Sequence, residues 1–163
     1  MLRETSTSYA SRQVDIEALK HVEKMLRIQR VNPDIQTSPR IVAGIEKAVQ
    51  RYAKLFLTHI GSVKLAPSVG SELLSAIRNG QVANIATLNY LYSTANVHAL
   101  QAIRADDNDA AFGEIPDDER IVSTQLMDLD LDFATRTVRI HVLLTTAAGE
   151  DFKFIIPVGS GIQ

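Results

Sequence analysis

The stretch "IPDDERIVSTQLMDLDLDFATRTVRIHVLLTTAAGEDFKFIIPVG", residues 115–159, decides the fold. In its first run, Met127, Leu129, Leu131 and Phe133 alternate with Asp128, Asp130 and Asp132. Strict alternation places one face of a strand on a core and the other in water. From Thr137 to Thr145, Val138, Ile140, Val142 and Leu144 share a face. From Asp151 to Val158, Phe152, Phe154 and Ile156 do the same. The connections "ATR" and "AAGE" are hairpin length. Consecutive strands joined so tightly predict a three-stranded antiparallel meander with open edges. An acid–base cluster, Asp117, Asp118, Glu119 and Arg120, precedes it. A small open sheet with charge at its mouth reads as a docking module more than as a catalyst.

Upstream, the periodicity changes to that of helices. Ile41, Ile45, Val49, Tyr52 and Phe56 recur every three or four residues, predicting a helix from Pro39 to about His59. Ser38 is its expected cap, Gly44 a weak or close-packed point inside it, and Gly61 its terminator. Ser71 and Gly80 bracket a short helix after the loop "KLAPSVG". A longer helix, from about Ala83 to Arg104, lines up Ile85, Leu88, Tyr92, Ala95, Ala99 and Ile103. The two longer helices are the expected cover for the apolar face of the sheet, giving an α+β fold with N-terminal helices packed on the C-terminal meander.

Residues 1–13 are polar and rich in Ser and Thr, and are expected to form a flexible arm; residues 14–163 are expected to be one domain. Leu19, Val22 and Leu26 have helical spacing, which predicts a short helix followed by an extended segment, although "MLRIQRV" also reads as a strand.

The bulk composition narrows the function classes. At 163 residues, 45% hydrophobic and 22% charged, the chain is long and apolar enough for one real core. Its net charge is −2, with no basic run, so nothing favours nucleic acid. With no cysteine there is neither disulfide nor thiolate chemistry. No apolar run reaches membrane-spanning length, and the first residues carry no secretory pattern.

Few residues invite chemistry. Asp128, Asp130 and Asp132 begin like a calcium loop, but Phe133 stands where the turn glycine belongs and Arg139 where the bidentate glutamate belongs. A solvated strand face accounts for them better. The four histidines have no metal-ligand spacing, and no nucleophile elbow, P-loop or dinucleotide fingerprint occurs. Glu114, Asp117, Asp118 and Glu119 could serve glycoside hydrolysis only with one acid in an apolar pocket and a second at a set distance. Arg120 has two readings of equal weight: bidentate recognition of a partner, or a local salt bridge closing its loop.

The order "LFLTHIGS" (55–62), "APSVGSELL" (66–74), long helix, "IPDDERI" (115–121), strands and "FIIPVG" resembles the sheath-initiator family, baseplate wedge proteins of contractile phage tails and related injection systems. The resemblance covers roughly residues 40–158. A threonine–x–x–glycine turn and a P-x-x-G segment of that family match Thr58–Gly61 and Pro67–Gly70. The family's Glu-Pro-Arg motif reads Asp118-Glu119-Arg120 here, so its proline is missing and the loop is less constrained.

The resemblance implies a non-enzymatic role without cofactor or metal. It implies that Asp118, Glu119 and Arg120 dock on the wedge core. It also implies strand exchange with the first sheath ring through the sheet carrying Leu129, Leu131, Ile140, Val142, Phe154 and Ile156. The implied partners are the sheath subunit and baseplate wedge proteins, with tail tube or hub proteins as further neighbours and neither nucleic acid nor membrane. The implied location is the virion's tail baseplate, after a period in host cytoplasm. A tail-associated, carboxylate-dependent peptidoglycan hydrolase is the alternative. A self-associating adaptor unrelated to phage is the third reading.

Overall fold

The inward row Val138, Ile140, Val142 and Leu144 forms the middle of the core, each residue at most 1% exposed. The computed structural model describes residues 15–16, 19–22, 25–28, 41–109, 114–132, 134–135 and 137–159. In chain order its elements are β1 (Asp15–Ile16), β2 (Leu19–Val22), β3 (Met25–Ile28), β4 (Ile41–Val42), α1 (Ile45–Phe56), α2 (Leu73–Arg78), α3 (Ile85–Asp107), β5 (Ile121–Asp132), β6 (Thr137–Thr146) and β7 (Asp151–Gly159). The class is α+β, with α1 to α3 preceding the antiparallel meander β5–β6–β7. The expected arm, residues 1–13, lies outside the described residues, as do Phe133 and the chain's last four positions.

The meander extends into a five-stranded open sheet in the order β2–β3–β7–β6–β5. β3 runs parallel to β7 and forms a hairpin with β2. The helix expected near residues 19–26 is therefore two strands. Four-residue segments such as LKHV and MLRI carry too little periodicity to separate the two states, and pairing with a sheet decides between them. β1 and β4 form a separate two-stranded ladder just ahead of α1.

That ladder also shortens the first long helix. Ile41 and Val42 are strand and α1 begins at Ile45, while the expected cap Ser38 and Pro39 lie outside the described residues. Gly44 is its N-cap rather than an interior residue, with φ 63° and ψ −146°. A side chain at that φ is strained, which is why glycine stands there. α1 ends at Leu57, and Gly61 belongs to the following turn. α3 matches expectation more closely, capped by Asn84, whose Oδ1 accepts the Thr87 N–H at 2.9 Å.

α1 and α3 lie together on one face of the sheet. Tyr52 stacks on Phe56 at 5.5 Å and meets Phe154 edge-on at 6.0 Å. Leu88, Tyr92, Ala95, Ala99 and Ile103 of α3 complete the contact. Full burial of side chains this size stabilises the fold by about 1.5–3 kcal/mol each before entropy is counted. Asn96 Oδ1 accepts hydrogen bonds from Tyr52 Oη and Thr124 Oγ1, both at 2.7 Å, joining α1, α3 and β5. Burial pushes the Tyr52 hydroxyl far above its usual range, and neighbouring Tyr92 pushes it further, so it remains a neutral donor. Arg51 donates to the Ile103 carbonyl at 3.0 Å and to Asp107, placing a cation on the negative end of α3.

The strict alternation expected in the first strand breaks at Met127. Leu126 faces Val142 and Asp128 faces His141, so Met127 is an extra residue in a bulge. It is exposed, and Leu126 takes the half-buried position beside Leu129 and Leu131.

Candidate docking loop and sheet edges

Residues Pro116–Arg120 form a tight turn: the backbone N–H groups of Glu119 and Arg120 both donate to the Pro116 carbonyl at 3.0 Å. The turn rests on the β6–β7 connection. Ala147 N–H donates to the Arg120 carbonyl at 2.8 Å, and Ala148 N–H to the Asp117 carbonyl at 3.0 Å. These bonds fix the direction in which each charged side chain leaves.

Glu119 turns inward and is 4% exposed. Its Oε1 accepts the Gly44 N–H at 3.2 Å, and its Oε2 pairs with Lys47 Nζ at 2.7 Å. It therefore supplies α1 with the bond that a glutamate in the helix's own first turn would make in a capping box. It also places negative charge at the positive end of α1, where Lys47 alone would be unfavourable. Asp118 lies against the same glycine: a Cβ at Gly44 would come within 3.1 Å of Asp118 Oδ2. The docking expected of Glu119 is thus corrected, because a carboxylate sealed between Gly44 and Lys47 offers no surface to a partner.

Arg120 and Asp117 point outward. They form an ion pair with side chains 53% and 65% exposed. The local salt bridge expected of Arg120 is present, and its guanidinium remains largely accessible.

The six residues assigned to strand exchange occupy the inner face. Leu129, Ile140 and Ile156 stand in one row across the sheet, and Val142 faces Phe154 in the next. Ile140, Val142, Phe154 and Ile156 are at most 1% exposed. Their side chains hold the sheet on α1 and α3, so exchange would have to use backbone groups at an edge instead. On the outer face, Asp130 pairs with Arg139 at 3.2 Å. The Thr135 hydroxyl, with the Thr135 and Ala134 amides, holds the Asp132 carboxyl below its usual range.

The two turn segments singled out in the sequence meet. Gly61 N–H donates to the Pro67 carbonyl at 3.0 Å, and Ser71 N–H to the Thr58 carbonyl at 2.9 Å. Gly70 has φ 114°, and a Cβ there would lie 2.6 Å from the Thr58 carbonyl oxygen. His98 Nδ1 reaches the Gly70 carbonyl at 2.9 Å, tying this loop to α3. Sequence reasoning passed over His98, Asn96 and Lys47, since each acts on a partner more than 25 positions away.

Two shallow hollows accompany these features. One, of about 240 Å³, lies between α3 and the 58–73 segment and includes Ile60, Glu72, Leu73, Tyr90 and His98. The other, of about 210 Å³, is on the outer sheet face beside Met127, His141, Lys153 and Ile155. Neither holds a pair of carboxylates. Among the described residues no group of three or more His, Asp or Glu could hold a metal ion, and no helix is long and apolar enough to cross a membrane. No family model, curated protein or solved structure matches this chain.

Proposed function

We propose that this chain is a structural, non-enzymatic baseplate component of a contractile tail or related injection system. It docks on the wedge core and nucleates the first sheath ring by exchanging β-strands with the sheath subunit. The observation that carries this reading is the open sheet, whose outermost meander strand, β5, has no strand neighbour on its outer side among the described residues. Unpaired edge N–H and C=O groups accept extended segments of other chains. The motif order resembling sheath initiators supports the same reading, and so does the bonding of the two turn segments to each other.

In this reading the acidic loop divides its work. Glu119 holds the loop to α1, and Arg120, beside Asp117, offers the wedge a charged, forked donor. Assembly takes place in host cytoplasm, and the finished location is the tail baseplate.

The test is co-expression with the sheath subunit and wedge proteins of the same source, affinity purification and electron microscopy. A wedge complex that nucleates sheath is expected. Arg120→Ala should enter that complex about tenfold less well, a loss near 1.4 kcal/mol. A monomer that ignores both partners would sink the proposal.

A further inference from the structure

The hollow between α3 and the 58–73 segment has walls fixed on both sides. On one side, Ile60 N–H donates to the Ser71 carbonyl at 3.2 Å, and Ser71 N–H to the Thr58 carbonyl at 2.9 Å. On the other, Leu91, Thr94 and His98 stand on α3, and the His98 ring ties that helix to the Gly70 carbonyl. Leu73, fully buried, also lines it. A hollow held in this way needs little reordering to receive a ligand.

Three of its polar side chains present acceptors. Glu72 occupies the N-cap position of α2, yet its carboxylate makes no capping bond. It is exposed and has no ion-pair partner among the described residues. The Thr94 hydroxyl donates its hydrogen to the Tyr90 carbonyl at 3.1 Å, so its lone pairs are what remain. His98 Nδ1 meets a carbonyl, which can only accept. Nδ1 therefore carries the hydrogen, and in the neutral ring Nε2 is left as an acceptor. Among the described residues no lysine or arginine lines the hollow, so the Glu72 charge is uncompensated there.

The apolar groups indicate what carries the matching cation. Tyr90 is 71% exposed and Ile60 38%, both lining the hollow. The segment leading on from Ile60 also exposes Val63 and Leu65. Large apolar groups left exposed beside a hollow mark a contact with another protein. A tyrosine ring attracts a cation on its face, and a guanidinium suits it because it is planar and weakly hydrated.

We propose that this hollow receives an arginine side chain of a partner protein. The guanidinium forks between the Glu72 carboxylate and the acceptors on α3, the methylene stem lies against Leu73 and Leu91, and the Tyr90 ring covers it. The residues flanking that arginine are apolar and rest on Ile60. This goes beyond the sheath-initiator reading, since it uses neither a sheet edge nor the Asp117–Arg120 loop.

The probe is the blocked peptide acetyl-Gly-Leu-Arg-Leu-Gly-amide, titrated into the isotopically labelled full-length chain and followed by NMR. Saturable shifts are expected at the amides of Ile60, Leu73, Tyr90, Thr94 and His98, with a Kd on the order of 1 mM. Citrulline in place of the arginine keeps the shape and loses the charge, and should weaken binding about fivefold. Glu72→Gln in the protein should do the same, and Tyr90→Ala should weaken binding about threefold. The citrulline comparison uses wild-type protein throughout, so it is independent of any effect on folding.

Equal binding of the arginine and citrulline peptides would overturn the proposal, and so would shifts that avoid these five amides. Tighter binding of the corresponding lysine peptide would assign the hollow to an ammonium instead and overturn it as well. Free arginine binding as tightly as the peptide would make the hollow a small-molecule site and remove its docking role. The titration involves no sheath or wedge protein. If it succeeds while co-expression yields no complex, the hollow stands and the baseplate reading falls; the opposite pair of results does the reverse.

Discussion

The loop Asp117–Arg120 has an inward half and an outward half that differ in everything except their sequence neighbourhood. Glu119 is sealed between a helix terminus and a lysine, whereas Arg120, one residue later, is more than half exposed. Both are charged, and both make an ion pair. The first pair holds a secondary-structure element in place, and the second closes a surface turn. An ion pair therefore has no fixed value: burial and the number of other groups depending on it set the scale. A motif of consecutive charges can be split between architecture and recognition by the direction of each side chain.

The sharpest way to break this contrast is Glu119→Ala. It leaves the Gly44 N–H without its acceptor and removes the carboxylate paired with Lys47 at the positive end of α1. The expected loss is about 3 kcal/mol, measured by urea denaturation. Glu119→Gln keeps an acceptor for Gly44 but not the charge, and should lose roughly half as much. A loss under about 1 kcal/mol in Glu119→Ala would mean that α1 does not depend on the loop.

Gly44→Ala attacks the same clamp from the other side. The new methyl group meets a φ of 63° and approaches Asp118 Oδ2 to 3.1 Å. A cost of about 2 kcal/mol is expected, chiefly from the backbone. If Asp118→Ala relieves little of it, strain rather than the contact is responsible. Full relief would show the reverse.

These two sites also show why some of the structure could be read in advance and some could not. The inner rows of β6 and β7 were legible because alternation along nine or ten residues leaves one arrangement that buries them. α3 was legible from its periodic apolar face. The Met127 bulge was not, because an alternating sequence carries no mark of a slipped register. The start of α1 was misplaced because its decisive partner lies 75 residues away, and Ser38-Pro39 offered a better local cap. In the candidate site, the charge cluster was visible, but its division into buried and exposed halves was not. Residue types give chemistry, whereas the turn bonded to Pro116 and Ala147 gives direction.

The mildest change is Arg120→Ala, and its value lies in separating stability from recognition. Its ion-pair partner, Asp117, is exposed and three residues away, so water can replace either side of the pair at little cost. The expected change in unfolding free energy is below about 0.5 kcal/mol. Because surface pairs are screened, raising salt from about 0.05 to 1 M should shrink even this difference, since the Debye length falls to about 3 Å. The Glu119→Ala deficit, set by buried groups, should persist in the same titration. Measuring both variants at both salt concentrations tests whether the loop has two halves. If the Arg120 effect were large and indifferent to salt, the guanidinium would be part of the clamp, and no side chain of the motif would remain for a partner.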